Sequence, residues 1–207
     1  MRTPWVIGVS GASGTLYTRA VVTALLDAGE PVDLVVSRAA RLTLLDELGL
    51  AFRDAHWQTD LATWLERDLD DADVQHWAAG DFGAGPASGS YATQGMVVVP
   101  ASSAAVAGIA LGLSKDLLQR AADVTVKERR RLVVVPRETP FTRSLLEHLL
   151  ALDSAGAVVL PAIPGFYAGS TSVQQLVDFV AAKILDVMGV KHQLSARWTG
   201  ELGAGRD

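Results

Sequence analysis

The stretch "VIGVSGASGTLYTRAV" (residues 6–21) is the clearest local indication of the fold class. A short run of apolar and β-branched residues leads into Gly11, Ser13 and Gly14, and a helix-like pattern begins directly afterwards. A strand, a glycine turn and a helix in this order are how many α/β proteins bind a phosphate group, at the helix N-terminus. The same pattern also fits a tight turn with a serine cap and no ligand, so both interpretations stay open at this point.

Two nucleotide-binding classes are excluded by the details of the turn. The Lys-Ser/Thr pair of a P-loop is missing, which argues against nucleoside triphosphate chemistry. The glycine spacing does not match G-x-G-x-x-G, and the second apolar run ends in Ser37 and Arg38 instead of the acidic residue that binds a dinucleotide ribose. Hydroxyls and free N–H groups at a helix start suit the phosphomonoester of a mononucleotide such as FMN.

Short apolar runs alternate with longer amphipathic ones along most of the chain. The apolar runs predict strands over residues 5–10, 32–37, 96–100, 131–136 and 157–161. The amphipathic runs predict helices over residues 15–28, 39–48, 102–111, 115–129, 142–154 and 172–188. Because the strand runs are continuously apolar, we expect a Rossmann-like (flavodoxin-like) doubly wound parallel sheet with helices on both faces.

The alternation also sets the expected domain organisation. We expect a single domain over residues 1–207, in which residues 52–95 form a helix near 58–69 followed by a long loop. Residues 199–207 are predicted to be a disordered tail.

Composition narrows the function classes. The 207 residues are 49% hydrophobic and 20% charged with a net charge of -5, which argues against a disordered chain and against nucleic acid or anionic membrane as a partner. Cysteine is absent, so disulfides, thiolate catalysis and cysteine-based metal sites are excluded. No targeting or membrane-spanning segment is recognisable, the four histidines lack metal-ligand spacing, and we expect a cytoplasmic, metal-independent protein.

Three further stretches carry candidate ligand-binding residues, each with a plainer alternative. "PASGS" (86–90) suits an anion-binding loop or a merely flexible one. "PASSAAVAG" (100–108) opens a helix with two serines, either as the second side of a ligand crevice or as an ordinary N-cap. In "VVVPRETP" (133–140), Arg137 and Glu138 follow a buried strand, where they can bind a phosphate and move a proton or form a surface ion pair. The cations at 127 and 129–131 end a helix and are interpreted mostly as solvated charges.

Taken together in register, these motifs resemble the flavin prenyltransferases, the UbiX-like branch of a flavoprotein superfamily. The resemblance rests on "GVSGASGTLY", "VVSRAA", "PASGS", "RAADVTVKERRRLVVVPRETPF", "GAVVLPAIPGFY", "KILDVMG" and "ARW". It implies a metal-independent enzyme that joins a dimethylallyl group from dimethylallyl monophosphate to N5 and C6 of reduced FMN and releases phosphate. It further implies that the prenylated FMN is handed to a UbiD-like decarboxylase, and that homododecamers form with active sites where protomers meet.

The resemblance also implies residue roles. For FMN contacts it points to Gly11, Ala12, Ser13, Ser37, Ser102, Ser103, Ala104, Ala105 and Arg137. For the prenyl phosphate it points to Ser88, Gly89, Arg120, Lys127, Arg137, Glu138, Tyr167, Lys183 and Trp198. For catalysis it points to Glu138 as the main proton carrier, with Ser13, Glu47 and Lys127. The chain departs from many family members by having alanine at 101, 104 and 105, where a cysteine and a threonine are frequent, which puts cofactor affinity in question.

Two other functions compete with prenyl transfer. A flavin-dependent cysteine decarboxylase would carry a histidine in the early helix and an asparagine-rich motif after the fourth strand. Here residues 15–28 contain no histidine and residues 100–105 read "PASSAA". A non-catalytic FMN-binding protein would not need a second set of phosphate-binding residues.

Overall fold

Six parallel strands form one sheet in the computed structural model, which describes residues 3–195, without the side chain of Ala168. The spatial order is β3-β2-β1-β4-β5-β6, the order of a doubly wound α/β fold. The strands are β1 Trp5–Val9, β2 Val32–Val36, β3 Val74–Ala78, β4 Gly95–Ala101, β5 Arg131–Pro136 and β6 Val158–Val159. The predicted fold class is therefore confirmed.

Helices cover both faces of the sheet. They are α1 Thr15–Asp27, α2 Arg38–Leu48, α3 Trp57–Leu65, α4 Ser103–Ala110, α5 Leu117–Lys127, α6 Arg143–Ser154 and α7 Val173–Met188. One apolar core joins the sheet to α1, α2, α3 and α7, and a second joins it to α4, α5 and α6. Along β1, Ile7 and Val9 enter the first core and Val6 the second, which explains why the strand runs are apolar without alternation.

The winding direction reverses between β1 and β4, because the chain moves outward through β2 and β3 before it returns to β4. The carboxyl ends of β1 and β4 therefore border a crevice, the usual ligand position in such sheets. Ser10 connects the two strand ends: its buried hydroxyl donates to the carbonyl oxygen of Pro100 at 2.8 Å and accepts from the backbone N–H of Ser102 at 2.7 Å.

Residues 52–95 differ from the prediction of a helix followed only by a loop. The predicted helix is present as α3, but the segment also contains β3, which pairs in parallel with β2. Because β3 is one of the two edge strands of the sheet, most of its residues are only half-buried. Its sequence therefore lacks the continuous apolar run of the inner strands. Its buried His76 bridges the Leu34 carbonyl oxygen at 3.2 Å and the Asp54 carboxylate at 2.7 Å, which ties β3 to the turn before α3.

Two structural findings concern absences within residues 3–195. In that range no helix is both long enough and apolar enough to span a lipid bilayer. Nor do three His, Asp or Glu side chains gather there into a group able to hold a metal ion. Trp198 and the predicted tail 199–207 lie outside the described residues.

Candidate functional site

A crevice of about 250 Å³, here called the switch-point crevice, opens at the carboxyl ends of β1 and β4. Residues at the starts of α2, α4 and α5 line it, together with the turn after β1. The lining residues that argue for a ligand are Ser10, Gly11, Ser37, Arg38, Ser102, Ala104 and Ala105. The N-termini of α2 and α4 and an arginine favour an anionic group. At the start of α5 the lining is the Asp116 carboxylate, which accepts from the Gln119 backbone N–H at 2.9 Å.

Two of the three serines in the crevice, Ser37 and Ser102, keep the capacity to donate to such a group. Ser37 accepts from the backbone N–H of Ala40 at 3.1 Å, and Ser102 accepts from that of Ala105 at 3.3 Å. An accepting hydroxyl retains its own proton for a second hydrogen bond. The crevice therefore offers two hydroxyl donors at positively polarised helix starts, which fits the phosphate of a mononucleotide.

The sequence predicts free backbone N–H groups at the glycine turn, but in the structure those of Gly14 and Thr15 are already hydrogen-bonded. The Glu47 carboxylate accepts from the backbone N–H groups of Gly14 at 2.9 Å and Thr15 at 3.0 Å, and from the Thr15 hydroxyl at 2.6 Å. Burial alone would raise the pKa of Glu47, but hydrogen bonds from Ser13, Thr15 and Gly14 outweigh it, so the pKa lies below its ordinary value. Glu47 thus caps α1, and an external phosphate finds these donors already used.

A second cavity of about 440 Å³, here called the α1–α7 cavity, lies on the other side of the glycine turn. Its polar lining includes Ser13, Tyr17, Glu47 and Arg137, and its apolar walls are Leu16, Leu48, Ala162, Val173 and Val177. Arg137 donates from Nε to the Ser13 carbonyl oxygen at 3.0 Å. Burial raises the pKa of Tyr17, and the charge of Arg137 offsets this in part. An apolar cavity with an arginine at its edge suits a small hydrocarbon group with an anionic head.

Glu138 lies next to Ser103 at the start of α4. Its Oε2 accepts from the Ser103 hydroxyl at 3.2 Å, and its Oε1 accepts from the Thr139 backbone N–H at 3.0 Å. The fold therefore brings the predicted flavin-contacting residues to one edge of the sheet, together with Glu47 and Glu138. We call this set the carboxyl-edge group: Gly11, Ala12, Ser13, Ser37, Glu47, Ser102, Ser103, Ala104, Ala105, Arg137 and Glu138.

Four of the residues predicted for the prenyl phosphate form a second set, here called the loop cluster: Ser88, Gly89, Arg120 and Lys127. Arg120 donates from Nε to the Ala87 carbonyl oxygen at 3.1 Å, which holds the loop against α5. Lys127 forms an ion pair with Glu128, and this pairing lowers the pKa of Glu128. A Cβ atom at Gly89 would clash with the Glu128 Oε1 and lie 2.6 Å from the Lys127 Nζ, so a larger residue here would have to move this ion pair.

Within one chain, Lys127 of the loop cluster and Arg137 of the carboxyl-edge group lie at opposite ends of β5. Lys127 ends α5 just before β5 begins at Arg131, whereas Arg137 directly follows the end of β5 at Pro136. A strand of this length, six residues, spans roughly 20 Å at about 3.3 Å per residue. The single pocket expected from the sequence is therefore not assembled by one copy of the chain.

Tyr167 and Lys183 form a third set beside α7. Tyr167 is 63% exposed and packs edge-on against Phe179, with 5.6 Å between ring centroids. Lys183 lines a groove of about 460 Å³, and its Nζ lies 3.9 Å from the Asp186 carboxylate. Trp198, predicted to help close the pocket, lies outside the described residues.

Several residues of the site were not predicted from the sequence. Ser10, Thr15 and Tyr17 lie within the motif "GVSGASGTLY", but the sequence analysis assigned them no role. Their contacts run to positions 30 or more residues away, as between Thr15 and Glu47 or Ser10 and Pro100. Only the arrangement of the strands makes these pairs visible.

Comparisons with known proteins identify relatives of the chain by sequence and by fold. Residues 1–185 match the model of the Flavoprotein family. The chain is 65% identical over 212 residues to the flavin prenyltransferase UbiX of Streptomyces coelicolor, covering 98% of each chain. The solved structure of AnUbiX (PadA1) in complex with FMN and dimethylallyl pyrophosphate is 32% identical, with a TM-score of 0.84 over 98% of this chain and all of that one.

A second solved structure, the dodecameric FMN-dependent UbiX-like decarboxylase from Escherichia coli O157:H7, is 34% identical. It aligns with a TM-score of 0.84 over 96% of this chain and 100% of that one.

Proposed function

We propose that this chain, which belongs to the flavoprotein family and within it to the UbiX-like flavin prenyltransferases, is a prenyltransferase. It transfers a dimethylallyl group from dimethylallyl monophosphate to reduced FMN. The new bonds are made at N5 and C6 of the flavin, and inorganic phosphate is released. The observation that carries the proposal is the pair of cavities on either side of the glycine turn, one suited to a mononucleotide and one to an apolar group with an anionic head.

FMN is held in the switch-point crevice. Ser37, Ser102 and Arg38 bind its phosphate, supported by the N-terminal ends of α2 and α4. Backbone and side-chain groups of residues 11–13 and 102–105 orient the flavin, and Arg137 lies between the glycine turn and the second cavity. With alanine at 104 and 105, the FMN contacts of α4 rely on the backbone and on its two serines.

The prenyl phosphate is bound between copies of the chain. Since Lys127 and Arg137 lie at opposite ends of β5, the loop cluster that serves a given flavin must come from a neighbouring copy. Large apolar side chains on α2, on α6 and near the carboxyl edge are exposed in one copy, which supports extensive contacts between copies. These include Leu42, Leu45, Leu146, Leu150, Ile163, Phe166 and Val173. A homododecamer is the assembly that we propose.

The reduced flavin provides the electron-rich N5 and C6 atoms. The chain provides the cationic, aromatic and proton-accepting groups that the reaction needs. The bond between the allylic carbon and the phosphate oxygen breaks, and the electron pair leaves with the phosphate. Lys127, Arg137 and Lys183 stabilise that leaving charge. The ring of Tyr167 stabilises positive charge on the allyl group. N5 forms the first bond to the allyl carbon and gives up its proton. Ring closure then adds one proton to the double bond that remains in the prenyl group, forms the bond from C6 and removes the C6 proton, and Glu138 or the departing phosphate carries these protons.

The released product is a modified flavin, and we propose that a UbiD-like decarboxylase uses it as a cofactor. The cytoplasmic location expected from the sequence stays a prediction.

Anaerobic incubation of the purified protein with reduced FMN and dimethylallyl monophosphate tests the proposal. We expect the flavin to gain the mass of one isoprene unit and phosphate to be released in equal amount. Parallel reactions with the diphosphate and with oxidised FMN serve as comparisons. A flavin of unchanged mass that remains tightly bound would show a flavin-binding protein without transfer activity.

A further inference from the structure

Arg130 differs from the other cations at the end of α5. The sequence predicts it to be a solvated charge, but its guanidinium is half-buried and binds the loop between β3 and β4. Its Nη1 donates to the Tyr91 carbonyl oxygen at 2.8 Å and to the Thr93 hydroxyl at 3.2 Å, and its Nη2 donates to the Gly89 carbonyl oxygen at 2.8 Å. One side chain therefore holds three acceptors of a single loop.

The loop has little regular structure of its own. Between Ala78 and Gly95 it contains one short 3-10 helix, Gly85–Ala87. Its hydrogen bonds around Ser88 are local, from the Ser88 N–H to Gly85 at 3.0 Å and from the Tyr91 N–H to Ser88 at 3.2 Å. Arg120 holds the loop at Ala87, and the Tyr91 hydroxyl donates to Asp33 at 2.9 Å. Between these two attachments, the Gly89 backbone is fixed to α5 by Arg130.

The position of Gly89 matters because Gly89 lies against the ion pair of Lys127 and Glu128, where a Cβ atom would be too close to both side chains. By holding the Gly89 carbonyl oxygen, Arg130 fixes the backbone of the loop next to the Lys127 ammonium. Resting on the proposed function, we propose that Arg130 is a positioning residue for the prenyl phosphate: it shapes the loop that binds the phosphate and does not itself touch it.

A guanidinium is better suited than an ammonium or an amide to holding these three acceptors. Its planar fork presents several N–H groups in fixed directions, so two carbonyls and a hydroxyl are held in one geometry. A lysine at 130 would keep the charge but not the fork. A glutamine would lose the charge and most of the donors.

Three variants separate positioning from charge and from folding. Arg130→Gln removes the fork, Arg130→Lys keeps the charge, and Arg129→Gln removes the same charge from the exposed neighbouring arginine as a matched control. For each we would measure the KM for dimethylallyl monophosphate, the Kd for FMN, and hydrogen–deuterium exchange of the amides of residues 86–94.

We expect Arg130→Gln to raise the KM about tenfold or more, the cost of losing charge-assisted hydrogen bonds that order the loop. FMN affinity is expected to stay unchanged and amide exchange in the loop to accelerate. Arg130→Lys should fall between this variant and the wild type, and Arg129→Gln should match the wild type in all three measurements.

The outcomes distinguish this inference from the proposed function. If the wild type forms no prenylated flavin, the proposed function fails, and loop exchange still reports whether Arg130 orders residues 86–94. If the wild type is active and Arg130→Gln has the KM and the exchange of Arg129→Gln, the inference is overturned. Should Arg130→Gln fail to fold, Arg130→Lys decides: a raised KM at unchanged FMN affinity supports the inference, and a wild-type KM overturns it.

Discussion

The carboxyl-edge group and the loop cluster bind their predicted ligands by different structural means. The carboxyl-edge group lies on turns and helix starts that directly follow buried strands, and Ser10 joins two of those strand ends through a buried hydroxyl. The loop cluster lies on an irregular loop and on α5, and its Ser88 and Lys127 are exposed. The first set borders a crevice within one copy, whereas the second is open to solvent in one copy.

Because of this difference, we expect the two substrates to depend on different regions of the chain. A tightly held flavin suits a rigid crevice whose donors are fixed by the sheet. A substrate whose phosphate must enter and leave suits a surface that the assembly completes. Substitutions in the two regions should therefore affect different measurements, and the predictions below test that separation.

Glu138→Gln should have the largest effect. The change keeps an acceptor for the Ser103 hydroxyl but removes the proton-accepting carboxylate, so transfer should slow about 100-fold or more while FMN still binds. Single-turnover kinetics and flavin titration measure the two quantities. Glu147→Gln, on an exposed ion pair of α6, is the control and should keep full activity. Full activity of Glu138→Gln would mean that another group accepts the proton.

Gly89→Ala should act on the loop cluster alone. The added methyl group must displace the Glu128 carboxylate and, with it, the paired Lys127 ammonium, so the KM for the prenyl phosphate should rise about tenfold, while the Kd for FMN stays at the wild-type value. Gly80→Ala, in the same loop but with open space around the added atom, should leave both constants unchanged. Weaker FMN binding by Gly89→Ala alone would contradict the separation of the two regions.

Glu47→Gln should have a smaller effect, on stability within the carboxyl-edge group. The pKa of Glu47 is lowered in the folded chain, so its contribution is present above the ordinary value of 4.5 and is lost as the pH falls through the lower folded value. At neutral pH the variant should be less stable by about 1 kcal/mol, typical of a lost helix cap.

Urea unfolding of the wild type and Glu47→Gln at equal protein concentration measures this difference. The two free energies of unfolding should converge well below pH 4.5. A gap that is constant over the whole pH range would show that the Glu47 charge does not stabilise α1.

Much of the fold follows from the sequence because inner strands and helix starts have local signals. The five strands predicted from continuous apolar runs are all present: β1, β2, β4 and β5 are inner strands covered on both faces, and β6 is an edge strand of two residues within the predicted range 157–161. Strand β3 was missed because an edge strand is only half-buried and its "VQHWA" shows no such run. The N-cap that the sequence offered as one interpretation of "PASSAAVAG" is present at Ser102, and Ser37 caps α2 in the same way although no cap was predicted there.

The site was less predictable where it depends on distant contacts. The glycine turn was correctly placed at the start of α1, but its N–H groups bind Glu47, 33 residues from Gly14, and only the packing of α2 onto the turn brings these together. Arg130 looked like a solvated helix-end charge because the loop it holds lies about 40 residues earlier. Local patterns show where a backbone donor is, but not which partner the fold gives it.

Mixed assemblies test most directly whether the prenyl phosphate site is shared between copies. Lys127→Gln and Glu138→Gln chains, carrying different affinity tags, would be co-expressed and purified on both tags, and prenylated flavin would be assayed. Each variant alone should be nearly inactive, while mixed assemblies should regain about a quarter of wild-type activity, because that share of randomly assembled sites draws both intact residues from different copies. Mixed assemblies no more active than the single variants would contradict the shared site.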